Sequence, residues 1–311
     1  MIAPALALVL ALGAFEPEAL LPGKPYALKG HGDAIVAIAF SPDGALLASA
    51  SRDKSVKLWN LQTGELVRTV AGSEGQLSSV SFSGDGKRLA IGDVGLQARV
   101  VDVASGQVVK TIAHPDAVGE VALNADGTLL AVAGLADTGA VYELVKDTKK
   151  FEFRGRTARF SADGKTLLIS SGAGTFSLLD GKTGKARKTV TTRNELPLTT
   201  MTDSGTTIAS WTASGIDVKL WSDAGKPLGV LKGAVAEVDR RRSRVTGVGL
   251  SPDGKRAIVG GGDGLVRLWS TEKPAVIQSW PVDSSNAVAV SADGKWFAVA
   301  DSSLVKLWKL P

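Results

Sequence analysis

The chain has 311 residues, 44% of them hydrophobic, with 36 glycines, no cysteine and a formal net charge of +5. The absence of cysteine excludes a disulfide framework and any thiolate metal site. The mild positive charge permits acidic partners without demanding them. The low aromatic content, 5%, leaves Val, Leu, Ile and Ala to fill the core.

Residues 1–22 stand apart from the rest of the chain. MIAPALALVLALGAF is an apolar run too short to cross a bilayer comfortably. It reads as the hydrophobic region of an export signal, with Ala11-Leu12-Gly13 as a candidate cleavage site, although no Lys or Arg precedes it. The expected location is therefore periplasmic or extracellular. The alternative is a cytoplasmic protein whose apolar N-terminal segment lies against the fold. Residues 23–311 are expected to form a single domain.

The segment KPYALKG, residues 24–30, resembles the last strand of a repeat such as ELVRTVAG, residues 65–72, yet no repeat precedes it. The other end, LVKLWKLP, breaks off at Pro311 after what reads as a third strand. The two irregularities complement each other. Residues 24–29 are predicted to supply the outer strand of a unit built from residues 285–310, which would remove a free blade interface and an unpaired strand edge.

The repeating unit is clearest at residues 41–64, SPDGALLASASRDKSVKLWNLQTG. Asp-Gly and Thr-Gly turns between alternating apolar runs are hairpin chemistry, because Gly accepts the positive φ that such turns require. Seven copies of the first turn occur, at Asp43, Asp85, Asp126, Asp163, Asp203, Asp253 and Asp293, separated by 42, 41, 37, 40, 50 and 40 residues. A period near forty without a long helical pattern implies about four short strands per repeat. A bulky third-strand residue keeps step: Trp59, Val101, Tyr142, Leu179 and Trp269 lie 16 positions after the turn Asp, Trp221 lies 18 after and Trp308 lies 15 after. The inner strands end on Phe40, Phe82, Leu123, Phe160, Leu250 and Val290, three residues before the turn Asp. Repeat 5 offers Thr200 and Met201 there, which predicts a poorly packed inner strand. Trp211 and Trp296 are extra tryptophans, expected to pack rather than bind.

These residues resemble the WD-repeat family of β-propellers, whose units run from Gly-His through a Ser-Pro-Asp-Gly turn and an Asp turn to a strand ending in Trp-Asp. The resemblance covers residues 24–311 and implies an all-β, seven-bladed propeller of four-stranded antiparallel blades. It also implies a structural tetrad in the first repeat, made by His31, Ser49 or Ser51, Asp53 and Trp59. The other repeats depart from the pattern. Repeat 3 keeps His114 and Asp137 but has Tyr142, repeat 6 keeps Asp263 and Trp269 without a His, and no Trp-Asp dipeptide occurs.

Function is expected in the connections from one unit's outer strand to the next unit's inner strand, because loops on rigid scaffolds carry function more than their share. Counted from the third-strand bulky residue to the next Phe40-type residue, these spans are 23, 22, 18, 21, 29 and 21 residues. The long one contains GAVAEVDRRRSRV, residues 233–245, with Arg240, Arg241, Arg242 and Arg244. Guanidinium groups pair with carboxylates or phosphates in bidentate fashion, so this loop is the candidate partner-binding site. A solvated loop, partly neutralised by Glu237 and Asp239, is the plainer reading.

No catalytic or metal-ligating constellation stands out. Both histidines occupy repeat-start positions, and the Gly-rich VGGGDGLVRLW at 259–269 aligns with SASRDKSVKLW and lacks the Lys-Ser/Thr of a phosphate loop. The expected function is a non-catalytic scaffold, monomeric and without cofactor, that docks a protein partner on its loop face. The alternative is an anion- or nucleic-acid-binding module using the same arginines. The loop lacks the aromatic residues that single-strand binding favours.

Overall fold

The structure is a computed structural model that describes residues 25–70, 73, 75–192, 197–236 and 244–311. The apolar segment 1–22 lies outside the described residues, as do Arg240, Arg241 and Arg242. The described residues contain 28 strands in seven four-stranded antiparallel sheets and no helix. Six sheets follow chain order. The first is made of Ile35–Phe40, Leu46–Ser51, Val56–Asn60 and Leu66–Val70. The inner strands of blades 2 to 6 are Leu77–Phe82, Val118–Leu123, Thr157–Phe160, Pro197–Met201 and Val245–Leu250, and that of blade 7 is Ala287–Val290. Each inner strand packs against the next and the seventh against the first, which makes a closed seven-bladed ring around a central channel.

The hairpin turns explain why short strands form so regularly. In the first blade the Ser41 hydroxyl donates to Asp43 Oδ1 at 2.5 Å, the Ala45 and Leu46 N–H groups donate back to Asp43 and Ser41, and Gly44 takes a φ of +69°. The same Ser-to-Asp bond recurs at Ser83–Asp85, Ser161–Asp163, Ser251–Asp253 and Ser291–Asp293, at 2.6 to 2.7 Å. Each loop thus meets its own backbone hydrogen-bonding demand with one hydroxyl and one carboxylate.

Repeat 5 is registered one residue away from the expected position. Gly205, with φ +73°, is the equivalent of Gly44, and the hydroxyl of Ser204, bonded to Thr202 and Thr206, occupies the place of the turn carboxylate. Asp203 is therefore not the turn residue. It stands where Pro42 stands in the first blade. The shift also moves the core position from Thr200 to Met201, which pairs with Ile208 and is buried beside Leu168 and Phe176. The inner strand of blade 5 is packed by a thioether that fills the place of an aromatic ring.

The seventh blade is composite. Tyr26–Lys29 pairs antiparallel with Leu304–Lys309, in the register Tyr26 to Leu307 through Lys29 to Leu304, and the sheet continues through Trp296–Asp301 to Ala287–Val290. Leu28, Ile35 and Ile38 from the front of the chain share one buried cluster with Ala298, Ala300, Val305 and Leu307 from its end. The Ile35 N–H donates to the Ser302 carbonyl at 2.7 Å, and the Asn286 amide donates to the Ile35 carbonyl at 3.1 Å. Leu28→Ala should therefore lower stability by about 2–4 kcal/mol, because the cavity opens in this joint. Leu66→Ala, at an outer-strand site already 45% exposed, should cost no more than about 0.5 kcal/mol. Urea denaturation of the two variants checks the contrast.

Candidate interaction faces

The outer-to-inner connections share one face of the disc with the second-to-third-strand turns, and on this face blades 1, 2, 6 and 7 are fastened by a buried polar group. In blade 1 the fastening is a chain of hydrogen bonds. The Trp59 Nε1–H donates to Ser49 Oγ at 2.8 Å, Ser49 Oγ lies 2.8 Å from His31 Nε2, and His31 Nδ1 lies 2.8 Å from Asp53 Oδ2. In the donor direction, the indole gives to the hydroxyl, the hydroxyl to a neutral imidazole, and the imidazole Nδ1–H to the carboxylate. Every proton is used once, and only with His31 neutral.

The electrostatics agree with a neutral imidazole. Burial of the His31 side chain pushes its pKa below the ordinary value of 6.5, against the opposing pull of Asp53. Burial alone would raise Asp53, but hydrogen bonds from the Ser55 hydroxyl, the Gly32 N–H and His31 outweigh it and hold the carboxyl well below its ordinary range. Ser51 is not in the chain. Its hydroxyl donates to the Asp33 carbonyl at 2.8 Å and accepts from the Asp53 N–H at 3.1 Å, so it shapes the turn.

Blades 2, 6 and 7 solve the same problem with other groups. The residue two positions before the bulky third-strand residue is Lys57 in blade 1, where His31 already holds the carboxylate. In blades 2, 6 and 7 the equivalent residue is Arg99, Arg267 or Lys306, and it turns to the Asp of the adjoining turn. The contacts are Arg99 to Asp93 at 3.4 Å, Arg267 to Asp263 at 2.6 Å and Lys306 to Asp301 at 2.5 Å. Asp93 and Asp301 are 2% and 1% exposed, so these pairs tie the turn to the blade out of water, where removing one partner would leave an uncompensated charge. Blade 3 does not join His114 to Asp137. His114 Nδ1 contacts the Asp116 backbone, and Asp137 accepts from the Gly172 N–H of blade 4 at 2.9 Å.

The substitutions leave a trace in the core. Trp221 finds a hydroxyl, Ser210, at 2.8 Å, as Trp59 finds Ser49. In blades 6 and 7 the residue at the Ser49 position is Val259 or Val299, and the buried indole N–H groups of Trp269 and Trp308 have no acceptor among the described residues. Trp308 is offset by stacking on Phe297, with ring centroids 5.0 Å apart and planes 2° from parallel, and Trp280 packs against both. Trp211 is buried, and Trp296 lies under the Lys309 ammonium at 5.5 Å.

Of the arginines in the long connection, Arg244 is described. It is exposed, and its carbonyl accepts from the Gly262 N–H at 3.0 Å. The connection spans residues 232–244, whereas its counterparts span 30–34, 71–76, 114–117, 154–156, 192–196 and 282–286. Among the described residues no group of three or more His, Cys, Asp or Glu could hold a metal ion. No described helix is long and apolar enough to cross a membrane.

A closed ring of seven four-stranded blades is a seven-bladed β-propeller. Residues 24–60 and 225–270 match the family described as WD domain, G-beta repeat, so the propeller carries WD repeats in those stretches. It is similar in structure to the Swd1 (Cps50) β-propeller domain of Myceliophteria thermophila, with a TM-score of 0.81 at 14% identity over 93% of this chain and 100% of that one. In sequence it is 54% identical over 44 residues to Protein Mut11 of Chlamydomonas reinhardtii, which is 14% of this chain and 12% of that protein. It is 28% identical over 183 residues to eukaryotic translation initiation factor 3 subunit I of Candida albicans, 52% of each chain. The chain thus spans about half, or far less, of the length of these curated relatives.

Two effects should be measurable at the first blade. Ser49→Ala leaves both His31 and Trp59 without their partner and should cost about 1–3 kcal/mol in denaturant melts. Because the folded His31 pKa lies below its unfolded value, the unfolded chain binds more protons. The stabilisation is complete above about pH 6.5 and is lost as pH falls through the depressed value. Midpoints followed from pH 8 to 5 should show this loss in the native chain and a flatter profile in His31→Gln.

Proposed function

We propose that this chain is a non-catalytic scaffold that docks a protein partner on the face formed by the outer-to-inner connections. The observation that carries the reading is the asymmetry of that face. One connection, residues 232–244, is far longer than its counterparts and brings four arginines within five residues. WD propellers generally bind protein partners and are generally not enzymes. In this reading Arg240, Arg241, Arg242 and Arg244 meet carboxylates of an acidic partner surface, where bidentate pairing adds geometry to charge. The disc acts as a monomer and needs no cofactor.

The test is affinity capture from native extract, comparing the full chain with a variant in which the four arginines are Ala. Both baits should show the same denaturation midpoint, since none of the four belongs to a described blade. One captured protein should be lost with the altered loop, and its affinity should fall moderately with salt. Retention of the same proteins by both baits would remove the loop from the interface. A steep salt slope with captured nucleic acid would instead indicate phosphate binding.

A further inference from the structure

The central channel opens at the end of the disc formed by the Asp-Gly turns, away from the long connection, into a cavity of about 390 Å³. Three ionisable side chains line it, Glu120, Arg159 and Asp203, and they come from the consecutive blades 3, 4 and 5. Each occupies a different position of the repeat. At the Glu120 position, opposite the second-strand residue Ala133, the other six blades carry Ala, Ser, Thr, Leu or Gly. At the Arg159 position, one residue before the inner-strand core residue Phe160, they carry Ala, Ser, Thr or Gly. At the Asp203 position they carry Pro42, Gly84, Ala125, Ala162, Pro252 and Ala292. The fold therefore asks for no charge at any of these places. One flank of the channel is charged and the other is lined by residues such as Gly249 and Ala289.

The three charges are not equivalent. Arg159 Nη2 donates to Glu120 Oε1 at 3.0 Å, and Glu120 Oε2 accepts from the Ala158 N–H at 3.1 Å, so those two compensate each other. No described donor hydrogen-bonds to the Asp203 carboxylate. The main chain of Asp203 is fixed, since its carbonyl accepts from the Ala162 N–H at 2.8 Å. Asp203 remains accessible from the channel mouth, yet the protein packed around it desolvates the carboxyl and pushes its pKa up, against the pull of Arg159. The cavity is left with one uncompensated carboxylate on a rigid ring.

We propose that the channel mouth is a binding site for an organic cation, an ammonium or guanidinium group that donates its N–H bonds to Asp203 while its apolar stem lies in the channel. A metal ion is disfavoured, since one free carboxylate is too few hard oxygen ligands for Ca²⁺ or Mg²⁺. The cavity volume suits a small ligand or one long basic side chain. Two sources share this chemistry, a free small-molecule amine and an arginine side chain presented by a peptide. The site lies on the face opposite the arginine-rich connection and stands independently of the partner proposed for it.

Isothermal titration calorimetry on the full chain at low salt, with agmatine in one arm and the blocked peptide acetyl-Gly-Arg-Gly-amide in the other, tests this directly. Asp203→Ala installs the residue that three other blades already carry, so the fold should be unchanged, and Asp203→Asn serves as a second variant of nearly equal size. The native chain should bind agmatine, more tightly as pH rises through the raised value of Asp203, and both variants should weaken binding at least tenfold. Binding of agmatine alone assigns a small-molecule amine. Binding of both, in competition, assigns a basic side chain. No heat from either probe up to about 10 mM, or equal affinity in the native chain and Asp203→Ala, would overturn the proposal.

Discussion

The joint between the two ends of the chain is the constraint on which the rest of the structure depends. A blade by itself cannot bury both its faces, so each depends on its neighbours, and an open array of seven would leave two faces and a strand edge bare. Here four residues near the front, Tyr26–Lys29, complete the sheet begun by the last three strands. The energy of the joint is mostly packing, because Leu28 and Ile35 are buried to 2% and 0% exposure among residues from the other end. Closure at such sequence separation is entropically slow to find, but once made it converts seven weakly dependent units into one ring. That rigidity lets the faces hold loops and charges in fixed register.

Within the ring, backbone and core are repeated while the polar fastenings are not. The hydroxyl–imidazole–carboxylate chain of blade 1 and the Arg or Lys pairs of blades 2, 6 and 7 perform one task, holding the turn carboxylate against its own third strand. They differ in consequence. A neutral imidazole makes blade 1 sensitive to mild acid, whereas a guanidinium or ammonium pair keeps its charge until the carboxylate itself is protonated. The Val259 and Val299 substitutions belong to the same drift. Once a basic residue holds the Asp, the bridging hydroxyl has no imidazole to serve, and losing it leaves only the indole N–H unpaired.

The period of forty, the turn chemistry and the orphan first strand were legible in the sequence because each depends on local residue type. Asp-Gly turns and alternating apolar runs need no tertiary knowledge to read. The register of blade 5 was not legible in the same way. TDSG contains an Asp next to a Ser, and only the hydrogen bonds decide that Ser204 closes the turn and Met201 fills the core. His114 and Asp137 were misleading for the opposite reason. Their spacing suits a pair, but Asp137 takes a left-handed φ of +67° and its carboxylate bonds across to Gly172. The basic third-strand residues were missed altogether, although Lys57, Arg99, Lys219, Arg267 and Lys306 stand at one repeat position. Three of them, Arg99, Arg267 and Lys306, meet the carboxylate of the adjoining turn.

Recurrence also separates structural charges from the others. A charged residue that recurs at one position, such as these third-strand bases or the turn carboxylates, is explained by the repeat and needs no ligand. A charged residue that occurs once, where every equivalent site is small or apolar, is not explained by the repeat. Glu120, Arg159 and Asp203 are of this second kind, and they fall on adjacent blades around one cavity. Their cost in a crowded channel is not recovered by any fastening except the Glu120–Arg159 pair. Because inner strands pack chiefly against those of the adjacent blades, a departure confined to one sector can be retained without disturbing the remainder. The propeller can therefore carry two unrelated local departures, a long arginine-rich connection and a lone carboxylate in the channel mouth, each altered independently of the ring that holds them.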